Sequence, residues 1–254
     1  MKQDGQIFLK TPAEIEKMKS LGGILAEIVK NLYELAEEGK TPQDLEQRAI
    51  ELCKMYDVNP SCKGYMGYPA ATCIGINNQS VHNIPSSEIL KSGDILTIDM
   101  VIDQNGWFVD HAVTKLIGNV DAKGKELVRN TKNAMENAIA EVKVGNTIGD
   151  LGAAMEGTVK PLGFSVLRNY VGHGIGRGIH EDPRIPCYGK NGTGTMLKEG
   201  MVFTIEPMVA EFGPEIVISD DGWSTNLKNG GRFAMFEHTV ALTPSGVEIL
   251  TKKE

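Results

Sequence analysis

One acidic signature occurs twice in this chain, and that repeat constrains the fold more than any other feature. Lys91-Ser-Gly93-Asp-Ile-Leu-Thr97-Ile98-Asp99 and Lys198-Glu-Gly200-Met-Val-Phe-Thr204-Ile205-Glu206 both read K-x-G-x-x-x-T-I-acid, 107 residues apart. A second echo follows each copy: Asp110-His111-Ala112-Val113 and Glu237-His238-Thr239-Val240. A third pair, Gly39-x-Thr41-x-x-Asp44-Leu45 and Gly145-x-Thr147-x-x-Asp150-Leu151, is offset by 106 residues. Separate motifs that share nearly one offset imply a duplicated unit. The halves span roughly 12–118 and 122–248.

Each half reads as helices followed by strands. Thr11-Pro12-Ala13-Glu14 is a capping box with proline at the first helical position. Apolar residues at helical spacing from Ile15 to Leu35 predict a helix ending near Gly39. Thr41-Pro42-Gln43-Asp44 starts a second helix, to about Tyr56. Helical spacing returns over 122–142, and Thr147-x-x-Asp150 opens a fourth helix. Strands are predicted near Ala71–Asn77, Asp94–Ile102, Trp107–Ile117, Phe164–Tyr170, Met201–Val209, Glu215–Ser219 and Ala234–Leu242. The expected class is α+β: two pseudo-twofold halves with helices on one face of a largely antiparallel sheet.

The bulk numbers exclude several functions. A net charge of −7 without a long basic run does not favour direct nucleic-acid binding. Met1-Lys-Gln-Asp-Gly leads into no long apolar stretch, so neither a signal peptide nor a membrane span is expected, and a cytoplasmic location is. Cys53, Cys62, Cys73 and Cys187 include no C-x-x-C pair, which argues for free thiols and against a thiolate zinc site.

The acids then need a partner. Asp103-Gln-Asn-Gly106 joins the two long strands of the first half. A two-residue loop at Gln104-Asn105, or a four-residue loop over 103–106, sets Asp99 directly opposite Asp110, with Cβ atoms about 5 Å apart. An Asn105-Gly106 turn pairs 99 with 112 and leaves 110 on the same face. Like charges on one sheet face repel, and burying them costs more. Glu206 and Glu237, the repeat equivalents, double the charge. His173 and His180 lie seven apart in Gly172-His173-Gly174-Ile175-Gly176-Arg177-Gly178-Ile179-His180, read as a glycine-rich loop. This is no dinucleotide fingerprint, because Arg177 stands at the third glycine position. Asp99, Asp110, His173, Glu206 and Glu237 form a donor set suited to Mn, Fe(II), Co or Zn. Five ligands suffice for two metals if carboxylates bridge, which points to metal-assisted hydrolysis.

At these residues the chain resembles the type I methionine aminopeptidases of the short bacterial kind. The resemblance covers nearly the whole chain. It rests on Thr72-Cys73-Ile-Gly-Ile-Asn77 with Val81-His82-Asn-Ile-Pro85, the Asp99/Asp110 hairpin, the Gly172–Pro183 segment, Phe203-Thr-Ile-Glu-Pro-Met208 and Phe236-Glu-His-Thr239. It implies the pita-bread fold, a single catalytic domain over residues 1–254 with two divalent metal ions between its halves. Asp99 would chelate one metal and His173 with Glu206 the other, while Asp110 and Glu237 would bridge. Glu206 would double as general base. His180 would steady the scissile amide or its oxyanion, and His82 the peptide nitrogen side. Cys62, Tyr65, Tyr68, Cys73, Ile179, Phe203, Met208 and Trp223 would line an apolar pocket for methionine. The implied substrates are N-termini of nascent polypeptides with a small second residue, met near the ribosome by a monomer. Departures from the usual pattern are Asn83, His111, Ile179, Met66 and Met235, and none removes a ligand. One rival is an X-Pro peptidase, whose relatives usually carry an extra N-terminal domain where this chain has about 11 residues before its first helix. The others are a non-catalytic binding module and a metal-free acidic surface.

Overall fold

The computed structural model describes residues 5–252, so the part of the N-terminal reading on residues 1–4 lies outside the described residues. Two helices come first, α1 (Pro12–Leu35) and α2 (Pro42–Tyr56). Each opens on a complete capping box, Thr11 with Glu14 and Thr41 with Asp44. α1 stops short of the expected Gly39. The amide of Gly39 donates to the Leu90 carbonyl instead, at 2.9 Å, and Leu90 donates back to Lys40.

The first-half strands are β1 (Asn59–Pro60), β2 (Cys73–Ile76), β3 (Ile95–Gln104) and β4 (Trp107–Leu116). Helices α3 (Ala122–Ala140) and α4 (Ile148–Val159) open the second half. Its strands begin with β5 (Ser165–Val166), β6 (Gly172–Gly174), β7 (Glu181–Ile185), β8 (Val202–Ile205) and β9 (Met208–Ala210). They continue as β10 (Ile216–Ile218), β11 (Thr225–Leu227), β12 (Phe233–Met235), β13 (Glu237–Thr243) and β14 (Gly246–Ile249).

The main sheet runs β1-β3-β4-β13-β8-β6-β7, with β2 also on β3 and β14 also on β13. All its pairings are antiparallel. The halves meet at the β4–β13 seam. β2 stands to β3 as β6 stands to β8, which is the duplication written in strand pairing. Two apolar cores follow the same division. Leu25, Ile28, Leu32 and Leu45 of α1 and α2 pack with Leu96, Ile98 and Met100 of β3. Leu127, Ala134, Leu151 and Met155 of α3 and α4 pack with Phe203, Ile205 and Val240.

The β3–β4 hairpin turns on Asn105 and Gly106, with φ of 54° and 76°. Positive φ at both central residues is what a two-residue hairpin favours, and Asn-Gly supplies it. Asp99 therefore faces Ala112 and Asp110 faces Val101. The two acids share a face on a diagonal; direct opposition, one of the registers left open by the sequence, does not occur. In the second half Ile205 faces His238, so one step further reaches Glu206 and Glu237. Relative to the first half, this register is shifted by two residues.

Several expected strands differ. The strand predicted over 201–209 is two strands in different sheets, β8 and β9. Pro207 lies at the break, and it has no amide to continue a ladder. The strand over 234–242 likewise divides at Phe236 into β12 and β13, and that over 164–170 reduces to Ser165–Val166. The glycine-rich segment read as a loop contains a strand, β6, inserted between β7 and β8. Its glycines admit close neighbours: a Cβ on Gly172 would sit 3.0 Å from the Thr204 carbonyl oxygen, and one on Gly174 would run into the Asp182 carbonyl. Gly174→Ala is therefore expected to lower stability by about 3 kcal/mol through overpacking against backbone, read as a lower urea midpoint with an unchanged slope.

Candidate metal centre

Asp99 projects from the middle of β3, Asp110 from β4, Glu237 from the first position of β13, and His173 from β6. Glu206 follows the last residue of β8. One ligand atom each from Asp110, His173 and Glu237 lies within 4.8 Å of the other two, and all three residues are buried. His173 Nε2 is 3.8 Å from Asp110 Oδ2 and 3.7 Å from Glu206 Oε1. The carboxyls of Asp99 and Asp110 are within hydrogen-bond reach of each other, and so are those of Glu206 and Glu237. All five predicted ligands thus converge.

Burial dominates their electrostatics. It pushes the Asp99 and Glu206 carboxyls up to about 7. Asp110 and Glu237 are driven well above the ordinary range, first by burial and then by neighbouring carboxylates: Asp99 on Asp110, and Asp110, Glu206 and Asp99 on Glu237. His173 is pushed down to about 3, again chiefly by burial, and is neutral. Its Nδ1–H donates to the Gly174 carbonyl at 3.0 Å, which leaves the Nε2 lone pair facing the acids.

Supporting residues that the sequence reading passed over sit inside its own motifs. Thr204 Oγ1 donates to Glu206 Oε1 at 2.7 Å and accepts the His173 amide at 3.0 Å. Thr239 Oγ1 takes the Asp110 amide at 3.0 Å and donates to the Asp110 carbonyl at 2.9 Å. Both threonines belong to the repeated signatures, so the signal was present there. His111 lies on the opposite face. It donates through Nδ1 to the Glu237 carbonyl at 2.5 Å and stacks on His238 at 4.7 Å, with rings 8° from parallel.

Around the acids, His180 sits 4.3 Å, ring to ring, from His173. Tyr65 Oη lies 2.9 Å from His180 Nδ1. His82 adopts a left-handed backbone, φ 56°, and packs edge-on against Tyr170, which the sequence reading did not single out. Asn83 beside it is buried, and its side-chain amide donates to the Val81 and Thr225 carbonyls. Cys62, Tyr68, Cys73 and Trp223 gather with Ala70 and Ile84 in a small apolar cluster of their own. Tyr68 and Trp223 meet edge to face at 5.3 Å, and Cys73 faces Asp99 across the β2–β3 ladder. Phe203 and Met208, expected in the same pocket, pack instead with the α3–α4 core. For Phe203 the reason is strand alternation: Thr204 turns to Glu206, so its neighbour turns to the helices.

The model of metallopeptidase family M24 matches residues 16–244. The chain belongs to metallopeptidase family M24. A methionine aminopeptidase of Clostridium perfringens is 40% identical over 245 residues, covering 96% of this chain and 98% of that protein. The crystal structure of the Thermotoga maritima methionine aminopeptidase superposes with a TM-score of 0.96 at 44% identity, covering 98% of this chain and all of that one. The prolidase of Pyrococcus furiosus matches with a TM-score of 0.79 at 28% identity, and 99% of this chain covers 67% of it. The fold is therefore the pita-bread fold of the M24 peptidases.

A divalent metal, which an M24 metallopeptidase implies, fits the residues present. Asp110 Oδ1 and Glu237 Oε1 are buried without any hydrogen-bond partner, and such groups call for one. A cation supplies it, and the neutral imidazole completes a mixed oxygen and nitrogen donor set. Carboxyls titrating near 7 must lose protons to become ligands, so metal affinity rises with pH through that value. Without a cation the same shifts work against the fold: a carboxyl raised from about 4 to about 7 destabilises it increasingly as pH rises between those values. Manganese binding at pH 6 is expected to release more than one proton per chain and fewer at pH 8.5, measured by calorimetry in buffers of different ionisation enthalpy. Equal release at both pH values would contradict these shifts.

Proposed function

We propose that this chain is an aminopeptidase that removes the N-terminal methionine of nascent polypeptides, preferring a small second residue. The observation that carries the reading is an apolar, aromatic and thiol-lined cluster placed directly beside a metal-ligand set, with Cys73 and Asp99 as ladder partners. An unbranched thioether fills such a pocket well and gains from sulfur–aromatic contact with Tyr68 and Trp223.

Asp99, Asp110, His173, Glu206 and Glu237 would hold the divalent metal, two ions in this reading, drawn from Mn, Fe(II), Co or Zn. When bound, such a pair polarises the scissile carbonyl and makes water acidic enough to attack near neutral pH. The chain's own groups do the rest. Glu206, whose carboxyl titrates near 7 without a cation and is ionised as a ligand, would double as the group that accepts and returns a proton. Thr204 holds it in place through Oε1. The Tyr65 phenol, its pKa raised by burial, lies 2.9 Å from His180 Nδ1. With the phenol as donor, the imidazole proton would sit on Nε2, available to a developing oxyanion. Neutral His82, its pKa lowered by burial, would interact with the peptide nitrogen side.

Glu206→Gln should lower turnover of Met-Ala-Ser by about 10²–10⁴-fold with an unchanged circular dichroism spectrum. Chelator-stripped protein, resupplied with Mn, Fe(II), Co or Zn one at a time, should cleave Met-Ala-Ser in preference to an X-Pro peptide. Preferential cleavage of the proline peptide would overturn the methionine reading, and inactivity with every metal would favour a binding module.

A further inference from the structure

A buried ion pair outside the ligand set holds the segment that carries His180. Lys10, one residue before the Thr11 cap of α1, is 5% exposed. Its Nζ reaches Glu181 Oε2 at 2.5 Å, across 171 residues of sequence, with both side chains nearly inaccessible. The other oxygen, Glu181 Oε1, accepts the amides of Arg177 at 2.6 Å and Gly178 at 3.1 Å. The Lys10 amide in turn donates to the Gly200 carbonyl at 2.7 Å. Gly176 has no side chain where the Lys10 stem passes; a Cβ there would run into Lys10 Cε. The same turn is fixed from outside: the Phe108 amide donates to the Gly176 carbonyl at 2.9 Å, and Arg177 lies over Trp107 at 3.8 Å and pairs with Glu14.

Desolvating an ammonium and a carboxylate is costly, and removing one partner leaves the other buried and uncompensated. Such a pair suits a place where geometry matters. Glu181 adjoins His180 in the chain, and its carboxylate ties down the turn on the other side of that histidine. His173 has anchors of its own, its amide to Thr204 and Nδ1 to Gly174, although Gly174 is also the ladder partner of Glu181. Disturbing Lys10 should therefore move His180 and spare the metal ligand.

We propose that Lys10 is a positioning residue for His180, acting through Glu181 and the 176–178 turn. This rests on the reading above in which His180 acts on the substrate. A misplacement of about 1 Å in a group that meets the transition state costs on the order of 10²-fold in rate.

The test is a double-mutant cycle on full-length, manganese-loaded protein. The variants are K10M, K10R, E181Q, H180A, K10M/H180A and E181Q/H180A, with kcat and KM read on Met-Ala-Ser and manganese affinity by calorimetry. K10M and E181Q should each lower kcat by about 10- to 100-fold with manganese affinity unchanged, and K10R should recover most of the loss. Neither should add to the loss already caused by H180A, because coupled positions are not additive. E181Q keeps an acceptor for the two turn amides and carries the same expectation if K10M fails to fold. An unchanged kcat in E181Q, a loss that persists in full on the H180A background, or one that follows manganese affinity would each overturn the proposal. H180A with wild-type kcat would instead remove the role of His180, and the proposal with it.

Discussion

Mutual repulsion among Asp99, Asp110, Glu206 and Glu237 shapes this molecule. Four acids converge, three of them buried and Asp99 half-buried, and desolvation raises the pKa of every one. Protonation can relieve that repulsion only at the expense of ligation, and a cation relieves it while using the charges. The sheet must therefore do two things at once. It must hold acids from both halves on one face, and it must exclude enough water for the field between them to be strong. The β4–β13 seam does the first, with Asp110 and Glu237 on neighbouring strands and Thr239 locking the backbone between them. The apolar cluster of Tyr68, Cys73 and Trp223 beside Asp99, with His180 against His173, contributes to the second.

The asymmetry between the halves carries the chemistry that symmetry cannot. His173 has no histidine counterpart in the first half, so the two sides of the acid cluster differ in charge and donor type. The stretch between Glu206 and Glu237 carries β9 to β12, where the first half has only a tight hairpin between its acids. That stretch delivers Trp223 to Tyr68, Cys62 and Cys73 of the opposite half. Each half thus completes a wall begun by the other.

The convergence of the four acids was legible because duplication printed them twice, and because carboxylates at matched positions have few structural uses. The strand under His173 was not legible. Alternating glycines read as flexible backbone, yet here they record close packing against Thr204 and Asp182. Pro207 was a visible ladder breaker inside a stretch otherwise suited to one long strand, and local apolar pattern outweighed it in the reading. Phe203 showed its chemistry but not its direction; only the pairing of β8 decides which face it occupies. The Lys10–Glu181 pair was invisible for a different reason. Nothing in either local sequence marks a contact across 171 residues.

The two strand pairs that present the acids, β3–β4 and β8–β13, differ in register by two residues, yet all four acids reach the same side. Side chains on a strand alternate, so a slide of two restores every orientation and a slide of one reverses them all. The duplicated strands therefore behave like a ratchet with an even-numbered pitch. Length changes that slide the pairing by two leave each carboxylate above the sheet, as the second half illustrates. A slide of a single residue would turn an aspartate or glutamate into the helical core and bring out an isoleucine or a histidine, so divergence between the halves has been free in length and bound in parity.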